Sequence, residues 1–150
     1  PREAVEYLSK IKNDASRVVS QKDEIVISAD TVVAVDDIIL GKPVDKEDAR
    51  YMIKLLQGRV HSVYTGICVS RSNDAKTVAT CVKTDVYFKK LTAQEIEYYV
   101  DNYHPFDKAG AYGIQEWIGY IGIDRIEGSY FTIMGLPVHL TYDLIIEFIG

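Results

Sequence analysis

The sequence has 150 residues, 47% hydrophobic and 26% charged, a globular balance that supplies one domain with a sizeable core and excludes disorder as its main state. Seventeen Lys and Arg against twenty-two Asp and Glu leave a net charge of −5, which works against broad binding to nucleic acid polymers or anionic membranes. No apolar stretch approaches the roughly 20 residues that cross a bilayer, so a soluble, cytoplasmic protein is expected.

Residues 3 to 15 read as a helix, with Val5, Leu8, Lys12 and Ala15 on one face. That places a lysine in the apolar stripe, either as a ligand contact or as a snorkelling side chain with its head in water. Residues 24 to 35 form a β-branched apolar run typical of a buried strand, interrupted by the polar pair Asp30-Thr31. Asp36-Asp37 should turn the chain back into a short strand, Ile38 to Leu40, which ends at the loop Gly41-Lys42-Pro43.

Asp45 is a good N-cap for a helix over 45 to 57, with Ala49, Met52, Ile53 and Leu56 inward and Gly58 as its stop. Two long strands follow, about Val60 to Arg71 and Lys76 to Lys89, joined as a hairpin through Ser72-Asn73-Asp74. Thr92 and Glu95 match a capping box for a helix that buries Ile96, Tyr99 and Val100 and ends near Tyr103. Asp107 to Gln115 is a small-residue loop that lets backbone approach a ligand or another backbone closely. Trp117 to Ile126 and Tyr130 to Met134 then read as a second hairpin turning at Glu127-Gly128. A last helix from about Pro137 carries Leu140, Leu144, Ile145 and Phe148 inward. The order implies an α/β or α+β domain built on a mixed sheet.

The residue that most demands explanation is Asp30, because an unpaired carboxylate is costly inside an apolar run. It reads either as a metal-binding or general-base group at a strand break facing a cleft, or as a bend whose backbone Asp30 and Thr31 satisfy. Lys42 follows the same hairpin closely enough to bring an ammonium towards Asp30. A phosphate ligand with a divalent ion needs that pairing of cation and anion. Gln115 offers both a donor and an acceptor, which suits reading a nucleobase edge and equally suits a structural amide. Cys68 and Cys81 lie in strand-like segments without metal-ligand spacing and read as reduced packing residues. No Walker loop, dinucleotide fingerprint, His-Glu-x-x-His or Cys-x-x-Cys occurs, and His61, His104 and His139 are scattered.

Several stretches occur together in order: Ser28-Ala29-Asp30-Thr31-Val32-Val33, Gly41-Lys42-Pro43, Val63-Tyr64-Thr65-Gly66, Asp107 to Gln115, Glu127-Gly128-Ser129-Tyr130 and Met134-Gly135-Leu136-Pro137. Together they resemble the Maf-type nucleoside triphosphate pyrophosphatases over nearly the whole chain. The resemblance implies a long mixed sheet bent into two lobes around a cleft, similar to the inosine triphosphate pyrophosphatases. It also implies metal-dependent hydrolysis between the α and β phosphates of a nucleoside triphosphate, with homodimers common. Asp30 matches the catalytic carboxylate that activates water and helps hold Mg²⁺, with Mn²⁺ as the other candidate. Lys12 and Lys42 match triphosphate contacts. Thr31 and Gln115 match positions associated with substrate choice, and their form is similar to the dTTP/UTP branch. A nucleotide-binding regulator of septum formation without turnover is the alternative the resemblance carries. Family members open with a strand and a Ser-x-Ser-x-Arg-Arg phosphate loop followed by a metal-assisting glutamate. None of this precedes Pro1, so the resemblance describes an N-terminally incomplete Maf-like domain.

Overall fold

A computed structural model of the chain describes residues 1–73 and 76–150. In chain order its elements are α1 (Arg2–Val19), β1 (Ile25–Val35), β2 (Ile38–Leu40), α2 (Lys46–Leu56), β3 (Val60–Arg71), β4 (Thr77–Phe88), α3 (Ala93–Tyr103), a 3₁₀ turn (Ala109–Ala111), α4 (Trp117–Gly122), β5 (Ile123–Glu127), α5 (Tyr130–Met134) and α6 (Val138–Ile149). The mixed helix-and-strand class expected from the sequence is what forms. The sheet has the order β2-β1-β3-β4-β5, and every pair in it is antiparallel, which corrects the expected mixed sheet. Short turns explain this for β1–β2 and β3–β4, where consecutive strands must reverse direction, whereas β1–β3 and β4–β5 pair across longer connections that contain α2 and α3 with α4 respectively.

Asp36 and Asp37 both take left-handed backbone, φ 47° and 65°, as a two-residue hairpin turn requires. Asp45 accepts the Asp48 amide at 2.8 Å to cap α2, whose Ala49, Met52, Ile53 and Leu56 are all buried. Thr92 and Glu95 form the reciprocal capping box at the start of α3. Of the expected hairpin cluster Ser72-Asn73-Asp74, Asp74 lies outside the described residues.

One face of the sheet packs α2, α3 and α4 over Val33, Val35, Val63, Val86 and Phe88. Further along, α6 sets Leu144 and Phe148 on Ile67 and Val69. Fully buried aliphatic side chains of this kind contribute about 1.5–3 kcal/mol each. On the opposite face α1 packs Val5 against Val32, Tyr64 and Cys81.

The expected helix α1 forms, but its inward residues are Val5, Ser9 and Asn13, while Leu8, Lys12 and Ala15 face out. Polar anchors decide that rotation. Asn13 Nδ2 donates to the carbonyls of Val26 and Cys68 at 2.9 and 3.1 Å, and Ser28 Oγ donates to Ser9 O at 2.6 Å. Gly66 permits the approach, since a Cβ there would lie 2.3 Å from Val5 O.

Two further expectations are corrected. The Asp30-Thr31 pair does not interrupt β1, because Ala29, Asp30 and Thr31 pair in unbroken register with Ile67, Gly66 and Thr65. Trp117 to Met134 is not a hairpin but α4, β5 and α5 in succession. Gly135 at φ 100° ends α5, its N–H bonding to Thr132 O and that of Leu136 to Phe131 O. This glycine stop holds an aromatic, β-prone run in a helical turn.

Candidate functional site

β2 covers only Val33 to Val35 of β1, so from Ile25 to Val32 β1 has one strand neighbour, β3, among the described residues. Successive side chains on a strand point to opposite faces. At this open edge Asp30 therefore faces α1, whereas Thr31 faces α5. A cavity of about 460 Å³ lies against the edge and takes in both, within the size range of small-ligand sites.

Lys12, Asp30, Thr31, Lys42 and Gln115 all line this cavity. The five side chains singled out from the sequence therefore meet in one place. Lys12 Nζ forms an ion pair with Asp30 Oδ1, so the rotation of α1 that turns Lys12 out of the helix–sheet interface delivers its ammonium to the strand edge. Lys42 is exposed on the loop after β2, and Gln115 is exposed in the turn before α4. The environment of Asp30 answers the burial question: its carboxylate is paired and 17% exposed rather than sealed in the core.

Lys108 also lines the cavity, and the sequence reading did not single it out. Its Nζ lies 2.9 Å from Asp107 Oδ1 and 3.2 Å from Glu116 Oε1. Burial opposes its charge, yet the hydrogen bonds to Asp107 and Glu116 outweigh burial and hold its pKa above the usual lysine value. The lining thus carries three lysines, Lys12, Lys42 and Lys108, against two carboxylates, Asp30 and Asp107. In an acidic protein that local cationic excess selects an anionic ligand.

The loop bearing Gln115 is anchored from α3. Tyr99 is fully buried, accepts the Gly113 amide at 3.0 Å and donates to the Glu116 carboxylate. Burial, then the bond to Glu116, pushes the Tyr99 phenol well above its ordinary pKa, so it stays a neutral donor. Glu116 in turn engages Lys108. The sequence signal for this network was present in Tyr99 and Glu116, but a core tyrosine and a loop glutamate look ordinary until the fold joins them.

A family model described as Maf-like protein matches residues 1–148. The chain belongs to the Maf family. Among similar proteins, the dTTP/UTP pyrophosphatase of Porphyromonas gingivalis is 47% identical over 150 residues, 99% of this chain and 74% of that protein. The dTTP/UTP pyrophosphatase of Bacteroides thetaiotaomicron is 48% identical over 140 residues, 93% of this chain and 72% of that protein. That of Christiangramia forsetii is 45% identical over 148 residues, 99% of this chain and 74% of that protein. In this Maf chain the strand segment Ala29 to Val33 and the loop Asp107 to Gln115 both supply walls of the one cavity.

Proposed function

We propose that the protein hydrolyses dTTP and UTP to the monophosphate and pyrophosphate, a reading supported by relatives named dTTP/UTP pyrophosphatase. The observation that carries this reading is the Asp30 carboxylate set in a cavity lined by Lys12, Lys42 and Lys108. A triphosphate is a concentrated anion, and ammonium groups offset both its ground-state charge and the charge that grows on the leaving pyrophosphate. Lys12 engages Oδ1 of Asp30, which leaves Oδ2 to orient a water towards the α-phosphorus and accept its proton. The new bond forms from water oxygen to the α-phosphorus, the bond to the α–β bridging oxygen breaks, and pyrophosphate departs. Gln115 and Thr31 meet the base.

A divalent metal belongs to this reading, with Mg²⁺ first and Mn²⁺ second. Among the described residues no group of three His, Cys, Asp or Glu can hold an ion. The donors nonetheless fit a hard cation that arrives with its nucleotide, since Mg²⁺ takes one or two carboxylates alongside phosphate oxygens and water. Asp30 would hold it, and when bound it supplies Lewis-acid polarisation of the phosphoryl oxygens.

The same reading makes the chain one Maf-like domain, because the apolar clusters on both faces rest on one sheet. It also makes the protein a cytoplasmic homodimer, consistent with exposed Phe131, Met134, Val138 and Tyr142 along α5 and α6. Among the described residues no helix is long and apolar enough to cross a membrane. Pyrophosphate release by the purified protein, measured with Mg²⁺ across a panel of nucleoside triphosphates, tests the proposal. Fastest turnover of dTTP and UTP is expected. Binding of these nucleotides without release would replace hydrolysis by the regulatory alternative.

A further inference from the structure

Thr31 and Thr65 sit opposite each other on β1 and β3, with their hydroxyl oxygens 2.8 Å apart. Thr65 Oγ1 also lies 2.7 Å from the carbonyl oxygen of Thr132 in α5. A hydroxyl has one proton to give, and a carbonyl has none. Since the carbonyl can only accept, the Thr65 proton goes to Thr132. Thr65 is completely buried, so it has no water to supply another arrangement. The contact between the two hydroxyls then forms only if Thr31 is the donor. Thr31 lines the cavity with its proton committed inward, and only lone pairs remain for a ligand.

We infer that Thr65 is a positioning residue that fixes Thr31 as a hydrogen-bond acceptor, so that the site selects a pyrimidine whose ring nitrogen N3 carries a proton. Thymine and uracil have that N3–H, whereas cytosine presents a lone pair at the same atom. Lone pair would face lone pair. The Gln115 amide, with a donor and an acceptor on one exposed turn, is suited to the neighbouring carbonyl of the same base. This inference rests on the pyrimidine triphosphatase reading above, and it assigns the base discrimination to a residue that does not itself line the cavity.

Thr65→Val keeps the shape but removes the acceptor, which frees the Thr31 proton to turn towards the cavity and donate to N3 of cytosine. The ratio of kcat/KM for dTTP over dCTP should fall about tenfold or more, the scale of one hydrogen-bond mismatch in a polar pocket. Thr65→Ser, which retains the hydroxyl, should hold that ratio within about twofold of the starting protein. A purely structural role for Thr65 would lower both activities together and leave the ratio alone. The unsubstituted protein gives an independent arm: 3-methyl-UTP, which has no N3–H, should be turned over at least about tenfold more slowly than UTP. An unchanged ratio in folded Thr65→Val, or equal rates for 3-methyl-UTP and UTP, would overturn the inference. Absence of pyrophosphate release from dTTP and UTP alike would instead overturn the reading beneath it.

Discussion

Asp30→Asn removes the anionic oxygen but keeps the side-chain volume and an acceptor for Lys12, so it separates chemistry from folding. Loss of a general base costs about a hundred- to ten-thousandfold in rate, and pyrophosphate release should fall within that range while the thermal midpoint moves little. Turnover near the starting rate would show that another group activates the water. Gln115→Ala leaves the core untouched, because Gln115 is exposed in its turn. It should raise KM for dTTP and shift base preference, with unfolding by denaturant unchanged. The ionic half of the site was legible in the sequence because Asp30 and Lys12 each violate an apolar pattern, and such violations need partners. They prove to be each other's partners. Lys108, Thr65 and Tyr99 were not legible in that way. Each looks unexceptional in one dimension and gains its meaning from a contact the fold makes: Lys108 to Glu116, Tyr99 to Gly113, Thr65 to Thr132.

The geometry of the site depends on how closely α1 rests on the sheet. At Gly66 an added Cβ would fall 2.3 Å from Val5 O and 2.8 Å from Glu6 N, both backbone atoms that cannot rotate aside. Gly66→Ala must lift α1, and overpacking of that kind costs about 1–3 kcal/mol. Because Lys12 rides on α1 and pairs with Asp30, turnover should fall with stability. Gly41→Ala is the control, with nothing within 4 Å of its added Cβ, and its urea midpoint should stay close to the parent value. The same helix shows where pattern reading reaches its limit. For α2 and α3 the apolar period and the caps agree, and the buried residues are those expected. For α1 the buried stripe is Val5, Ser9 and Asn13, since carbonyls of β1 and β3 accept from the Asn13 amide and Gly66 admits the helix backbone at Val5. In Trp117 to Met134 aromatic and β-branched composition suggested strands. The αL glycine at 135 and the tight contact at Gly119, whose Cβ would meet Ile114 O at 1.9 Å, enforce helical turns instead.

Taken as a whole, the molecule carries a built-in acid sensitivity that does not involve the cavity's ion pairs. His61 on β3 is 2% exposed, packed edge-on against Tyr112 with Phe88 alongside, and its Nε2 lies 2.7 Å from the Tyr112 hydroxyl. Among the described residues its Nδ1 has no partner. Burial is the main cause that lowers its pKa from 6.5 to about 4, with the Asp85 charge opposing the shift. The folded protein therefore keeps His61 neutral where the unfolded chain would protonate it. Where the unfolded state binds more protons, stability rises with pH. The contribution is complete above pH 6.5 and is lost progressively as pH falls from there towards about 4. At about 1.4 kcal/mol per pH unit, the loss across that window is on the order of 3 kcal/mol. Urea unfolding at pH 7, 6, 5 and 4.5 should show stability declining below pH 6.5. In His61→Gln the component from this residue should vanish, leaving a shallower profile over the same range. Equal slopes for the two proteins would mean that His61 takes up its proton as readily in the folded state as in the unfolded one, and that the core around Tyr112 tolerates its charge.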